Sequence, residues 1–96
     1  MSRFRILNDM LLIGIGFGSY IAAEKIVAVL APDSAPIKRV IADARDRGLL
    51  IDASFGRSTR SVLQMNSNHV ILSSLSPDEI LKDLRDNQSE YGGNQS

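Results

Sequence analysis

The sequence predicts an α+β fold: a mostly antiparallel sheet of about five strands, with two helices. Three observations carry that expectation. Short runs of branched apolar residues come in clusters instead of alternating regularly with helical segments. Two segments open with helix-capping residues and continue with apolar residues at helical spacing. The 96 residues, 44% of them apolar, suffice for one modest core and hence for a single domain over residues 1–87, with a disordered polar tail over 88–96.

Arg3 and Arg5 precede the run MLLIGIGFGSYIAA, which has the outline of a signal peptide. Asp9 lies just ahead of the run and Gly14, Gly16 and Gly18 interrupt it, so its continuous apolar stretches are too short to span a bilayer. Strands of a globular, cytoplasmic protein are therefore expected. Met10 to Ile15 is the first strand, and GIGFG breaks it as a turn or bulge. Tyr20 to Leu30 is the next extended segment, ended by Pro32-Asp33-Ser34.

A helix follows, capped by Ser34 or Asp33, with Pro36 in its first turn and Gly48 past its last. Ile37, Val40, Ile41 and Ala44 form its apolar face. Leu49 to Phe55, Ser61 to Met65 and His69 to Ser74 then read as a three-strand meander, its turns at GRSTR and Asn66-Ser67-Asn68. Ser76-Pro77-Asp78-Glu79 is a capping box opening the second helix, on which Ile80, Leu81 and Leu84 form a narrow stripe.

Net charge is zero, yet its distribution is uneven. Residues 1–75 hold nine Lys/Arg against six Asp/Glu, and residues 76–96 hold two against five. A basic body with an acidic end fits a polyanion-facing surface, although ordinary surface scatter fits it too. Cysteine is absent and His69 is the one histidine, so the sequence offers no disulfide, thiolate metal site or thiol nucleophile.

His69 starts a strand and is expected to be solvated or capping. Gly14, Gly16 and Gly18, with Asp33 beyond them, mimic a dinucleotide fingerprint, but the segment that follows is extended where a helix is required. A bulge or a subunit contact suits these glycines better. Asp43 and Asp46 lie among Arg39, Arg45 and Arg47 as helix-surface ion pairs. Asp52, in an apolar strand, is expected to need an arginine partner.

The loop FGRSTR (Phe55 to Arg60) is the most informative segment. Arg57 and Arg60 have no acidic residue between Ala53 and Ser76, and Ser58, Thr59 and Ser61 supply hydroxyls beside them. Arginine forks with hydroxyls and exposed amides suit a phosphodiester backbone, whereas composition alone leaves a solvated turn open. Two arginines neutralise few phosphates, so useful affinity requires many copies on one surface.

GFG (Gly16 to Gly18), SAPIKRVIADARDRGLLIDASFGRSTR (Ser34 to Arg60) and HVILSSLSP (His69 to Pro77) resemble, at constant spacing, the RemA-type regulators of bacterial extracellular-matrix and biofilm genes. The resemblance spans about Met10 to Leu84. It implies a nucleoid-associated, sequence-selective, DNA-binding transcriptional regulator without enzymatic activity, cofactor, metal, small-molecule ligand or membrane partner. It also implies a ring-like homo-oligomer of octamer size around which double-stranded DNA bends. Arg57 and Arg60 match the first and last arginines of the family's G-R-R-T-R loop, and Ser58 stands where the second would be. Lys25 matches an arginine implicated in DNA contact, and lysine lacks the bidentate fork. An oligomeric scaffold that does not bind DNA directly is the alternative, kept open by Ser58.

Overall fold

The computed structural model describes residues 4–7 and 9–91. In chain order its elements are β1 (Phe4–Leu7), β2 (Met10–Gly16), β3 (Ser19–Ala22), β4 (Ile26–Leu30), α1 (Ala35–Asp46), β5 (Leu50–Asp52), β6 (Ser61–Met65), β7 (Val70–Ser73) and α2 (Pro77–Tyr91). The class is α+β with two helices, as expected, but the strands form two sheets in place of one. One has the order β1-β2-β3, the other β4-β6-β7-β5.

The division arises at Ala23–Lys25, a short 3-10 turn inside the segment expected to be continuously extended. Glu24 and Lys25 are the polar interruption between two apolar runs. Before the turn, β3 pairs antiparallel with β2; after it, β4 pairs antiparallel with β6. Strand β1 was not foreseen, and it pairs antiparallel with β2 through a turn in which Asp9 has φ 63°. A short aspartate side chain tolerates that conformation better than most.

The expected three-strand meander is also corrected. β6 and β7 form an antiparallel pair, but β5 lies on the far side of β7 and runs parallel to it, with Leu50, Ile51 and Asp52 opposite Val70, Ile71 and Leu72. β6 has no edge to offer β5, because β4 and β7 occupy both. Residues 53–60 are thus a crossover passing the end of β7, and FGRSTR is not the tip of a hairpin.

The helices follow their sequence signals. Ser34 Oγ accepts from the Ile37 amide at 3.3 Å, Pro36 sits in the first turn of α1, and Gly48 closes the helix with φ 74°. The exposed Asp43–Arg47 pair, 3.2 Å apart, is one of the expected i,i+4 contacts. α2 continues to Tyr91, into the stretch read as a polar tail; residues 92–96 lie outside the described ones. No helix among the described residues is long and apolar enough to cross a membrane.

Both faces of the four-stranded sheet are covered, so its central strands are apolar almost throughout. On one face Val62, Val70 and Leu72 pack against Ala44, Ile37, Val40 and Ile41 of α1. On the other, Leu63, Met65 and Ile71 meet Ile15 from β2 and Ile80 from α2. Leu63 and Ile80 are completely inaccessible to solvent. Leu63→Ala leaves a cavity where sheets and helix meet, and is expected to cost about 2–5 kcal/mol in a denaturant unfolding titration at fixed protein concentration.

Candidate nucleic-acid interface

Two turns of identical sequence build one corner of the molecule. In the β2–β3 hairpin the two-residue connection is Phe17-Gly18, and in the crossover it is Phe55-Gly56. The second turn is closed by the Arg57 amide donating to the Ser54 carbonyl at 3.1 Å. All four central residues have positive φ: 54° and 77° in the first turn, 51° and 85° in the second. That is the type I′ pattern, which favours asparagine, aspartate or glycine. A phenylalanine in this left-handed conformation costs about 1–2 kcal/mol.

The cost is offset by what the two rings do. Phe17 and Phe55 meet edge to face, with centroids 5.5 Å apart and planes at 70°. The Arg57 guanidinium carbon lies 5.1 Å from the Phe17 ring centre, a cation–π contact that limits the directions the fork can take. The rings remain 53% and 61% exposed, and Arg57 is exposed as well. GIGFG, the glycine motif, therefore delivers Phe17. The β2–β3 register shifts between Gly14 and Gly16, just before the turn. At Gly16, with φ 112°, a Cβ would also come within 3.4 Å of Ser74 Oγ.

The crossover is also held at its base. Ala53 N–H donates to the Leu72 carbonyl at 2.9 Å and Arg60 N–H to the Ser73 carbonyl at 2.8 Å, pinning the segment on either side of β7. Buried serines complete the frame. Ser61 Oγ donates to the Leu75 carbonyl, and Ser73 Oγ donates to the Ile15 carbonyl while accepting from the Leu75 amide. The Ser73–Ile15 bond, 2.8 Å long, ties the two sheets together at this corner.

Asp52 was expected to be buried beside an arginine. It is exposed, and Oδ1 accepts from both the hydroxyl and the amide of Ser54. The Ser54 hydroxyl and then its amide hold the carboxyl below its ordinary value.

Arg57, Ser58, Thr59 and Arg60 come together on the crossover; Thr59 is half-buried and the others are exposed. Arg57 has no carboxylate partner among the described residues. Arg60 does have one: Nη1 lies 3.6 Å from Glu79 Oε1 in α2, an acid distant in sequence that the topology brings alongside. Lys25 is not part of this group. It occupies the 3-10 turn, where its carbonyl accepts from the Asn66 amide, at the β6–β7 turn end of the sheet. The length of β6 separates it from Arg60, roughly 15 Å for five residues of strand. His69, at that same end, stands with Nδ1 2.7 Å from Ser67 Oγ, a local turn contact. No cluster able to hold a metal ion occurs among the described residues.

The sequence reading placed Phe55 at the start of the loop and Glu79 in the capping box, but it joined neither Phe17 nor Glu79 to the loop. The repeated Phe-Gly dipeptide was the available signal for Phe17, and the capping-box acid for Glu79. The Asp52–Ser54 contact generates a prediction. Because the folded carboxyl titrates below its ordinary value, its contribution to stability is complete above that ordinary value and is lost as pH falls through the lower folded one. Asp52→Asn is expected to lower Tm by a few degrees at pH 7, and melts at pH 2–3 are expected to show a smaller difference.

Comparison with known proteins supplies the lineage. The family model described as RemA-like, extracellular matrix regulatory protein A-like, matches residues 12–84. A relative in Heliobacterium modesticaldum is 49% identical over 88 residues, which cover 92% of this chain and 97% of the relative. One in Bacillus pumilus is 55% identical over 73 residues, 76% of this chain and 82% of that protein. One in Nostoc punctiforme is 54% identical over 72 residues, 75% and 82% of the two chains. The names of all three describe a "Putative regulatory protein". With its glycine turn, its arginine crossover and the capped start of its second helix inside the matched span, the chain belongs to the RemA-like family of extracellular matrix regulatory protein A-like proteins.

Proposed function

We propose that this regulatory-family protein is a non-enzymatic transcriptional regulator that binds double-stranded DNA as a ring-like homo-oligomer. The observation that carries the reading is Arg57: an exposed guanidinium, stacked on Phe17, without a competing carboxylate among the described residues. A pre-oriented arginine beside hydroxyls and exposed loop amides matches what a phosphate backbone accepts. Ser58 and Thr59 add hydroxyl donors, and Arg60 adds charge that its ion pair moderates. Lys25 extends the basic surface to the opposite end of the sheet, so the two basic ends of one copy meet phosphates several base pairs apart.

One copy offers too few cations for tight binding, and repetition around an oligomer supplies the rest. Two features favour self-association. The four-stranded sheet has unpaired edges at β4 and β5, and Val27 and Ile51 on those strands are 65% and 47% exposed. The second reading, an oligomeric scaffold without direct DNA contact, draws on the same edges and on the exposed Phe17–Phe55 pair.

Promoter-sized DNA titrated at several salt concentrations separates the two. DNA binding predicts a steep fall in affinity with salt, and Arg57→Ala is expected to lower the slope of log K against log salt by about 0.9 for each contacting subunit. Arg57→Lys keeps the charge but loses the fork, and is expected to fall between wild type and Arg57→Ala. Light scattering on the same variants is expected to give an unchanged solution mass. Wild-type protein that shifts no DNA at low or moderate salt would establish the scaffold reading instead.

A further inference from the structure

We infer that Glu79 is a built-in competitor of DNA phosphate for Arg60, setting how tightly and how salt-dependently the protein binds. The inference rests on the DNA-binding reading above and adds to it a residue that acts against binding. Arg60 Nη1 and Glu79 Oε1 stand 3.6 Å apart, both partly open to solvent, so an approaching phosphate reaches the same guanidinium that the carboxylate holds.

Both partners are fixed at their roots, which makes the pairing a property of the fold. The Arg60 amide donates to the Ser73 carbonyl at 2.8 Å, setting the point from which its side chain extends. Glu79 is the acidic half of the capping box: Oε1 accepts from the Ser76 amide at 2.8 Å, and the Glu79 amide donates to Ser76 Oγ at 3.1 Å. One carboxylate oxygen thus starts α2 and faces Arg60. Arg57, at the other side of the loop, stacks on an aromatic ring and has no carboxylate partner among the described residues.

The two arginines of one loop therefore differ in kind. Arg57 meets phosphate unhindered, whereas Arg60 must exchange a carboxylate for a phosphate. The phosphate gives up its condensed cation, but the freed Glu79 carboxylate attracts a cation in return, so Arg60 contributes less than a full unit to the salt slope. The Glu79 charge, left beside the DNA, also repels it.

Glu79→Gln isolates the effect, because glutamine also serves in a capping box and keeps the helix start while removing the charge. Equal helical content by circular dichroism and an equal melting temperature establish that the fold is intact. The variant is expected to bind promoter-sized DNA about two- to five-fold more tightly for each contacting subunit, the range typical of an exposed ion pair. Its salt slope is expected to steepen by up to about 0.9 per contacting subunit. The gain is expected to shrink when Arg60→Ala is combined with Glu79→Gln, leaving only the direct repulsion. An unchanged affinity and slope in Glu79→Gln, with wild type binding DNA, would overturn the inference and leave the DNA-binding reading intact. A gain of equal size with and without Arg60 would overturn it as well. Wild type and Arg57→Ala that both fail to bind would remove the DNA-binding reading and this inference with it.

Discussion

The position of β5 constrains everything that matters at the candidate interface. Because β5 lies on the outer edge of β7 and parallel to it, while β6 lies on the inner edge, the chain between them must cross the end of the sheet. Eight residues, 53–60, make that crossing. Backbone hydrogen bonds from Ala53 and Arg60 to β7 hold the segment at both feet, and the intervening turn is pushed outward. The same end of the sheet receives the β2–β3 hairpin and the start of α2. Three parts of the chain that are remote in sequence therefore meet at one corner.

Meeting is not the same as adhering, and the adhesion here is polar. Ser54, Ser61 and Ser73 are all buried, and each is hydrogen-bonded to a neighbouring segment or turn. Among the described residues no buried side-chain nitrogen or oxygen lacks a partner. Leaving such a group unpaired costs more than the bond contributes, so the serines fix one arrangement of the corner instead of merely favouring it. The apolar core beneath supplies most of the stability, and the serine network supplies the geometry.

Much of this was legible in the sequence and some was not, for physical reasons. Helix α1 and the capping box of α2 were readable because capping and apolar spacing are local properties. Strands β6 and β7 were readable from their branched apolar runs. The pairing of β5 was not, because a strand of three residues next to a turn-rich loop fits a hairpin as well as a crossover, and only the competition for edges decides. The division into two sheets hid in a two-residue polar interruption at Glu24 and Lys25. At the site, Arg57, Ser58, Thr59 and Arg60 were found together because they are contiguous. Phe17 and Glu79 were missed because they join that group only through tertiary contact, and Lys25 was grouped with residues from which the fold separates it. Asp52 was assigned the wrong partner because its carboxylate is satisfied two residues away.

The frame of the crossover has a further implication for how the family's members differ. The bonds that hold it come from the backbone of Ala53, Arg57 and Arg60 and from the side chains of Asp52, Ser54 and Ser61. The side chain at position 58 contributes to none of these bonds, unlike Arg57, which packs on Phe17. The identity of residue 58 is thus decoupled from the frame, and the number of positive charges per subunit can change by one there without disturbing the corner. Serine at position 58, where the resemblance drawn from the sequence leads one to expect arginine, is one such change. In a ring of the kind proposed, each substitution is multiplied by the number of copies, so a single codon would shift total surface charge in steps of the subunit number. Such an assembly would be retuned coarsely by one letter in this loop.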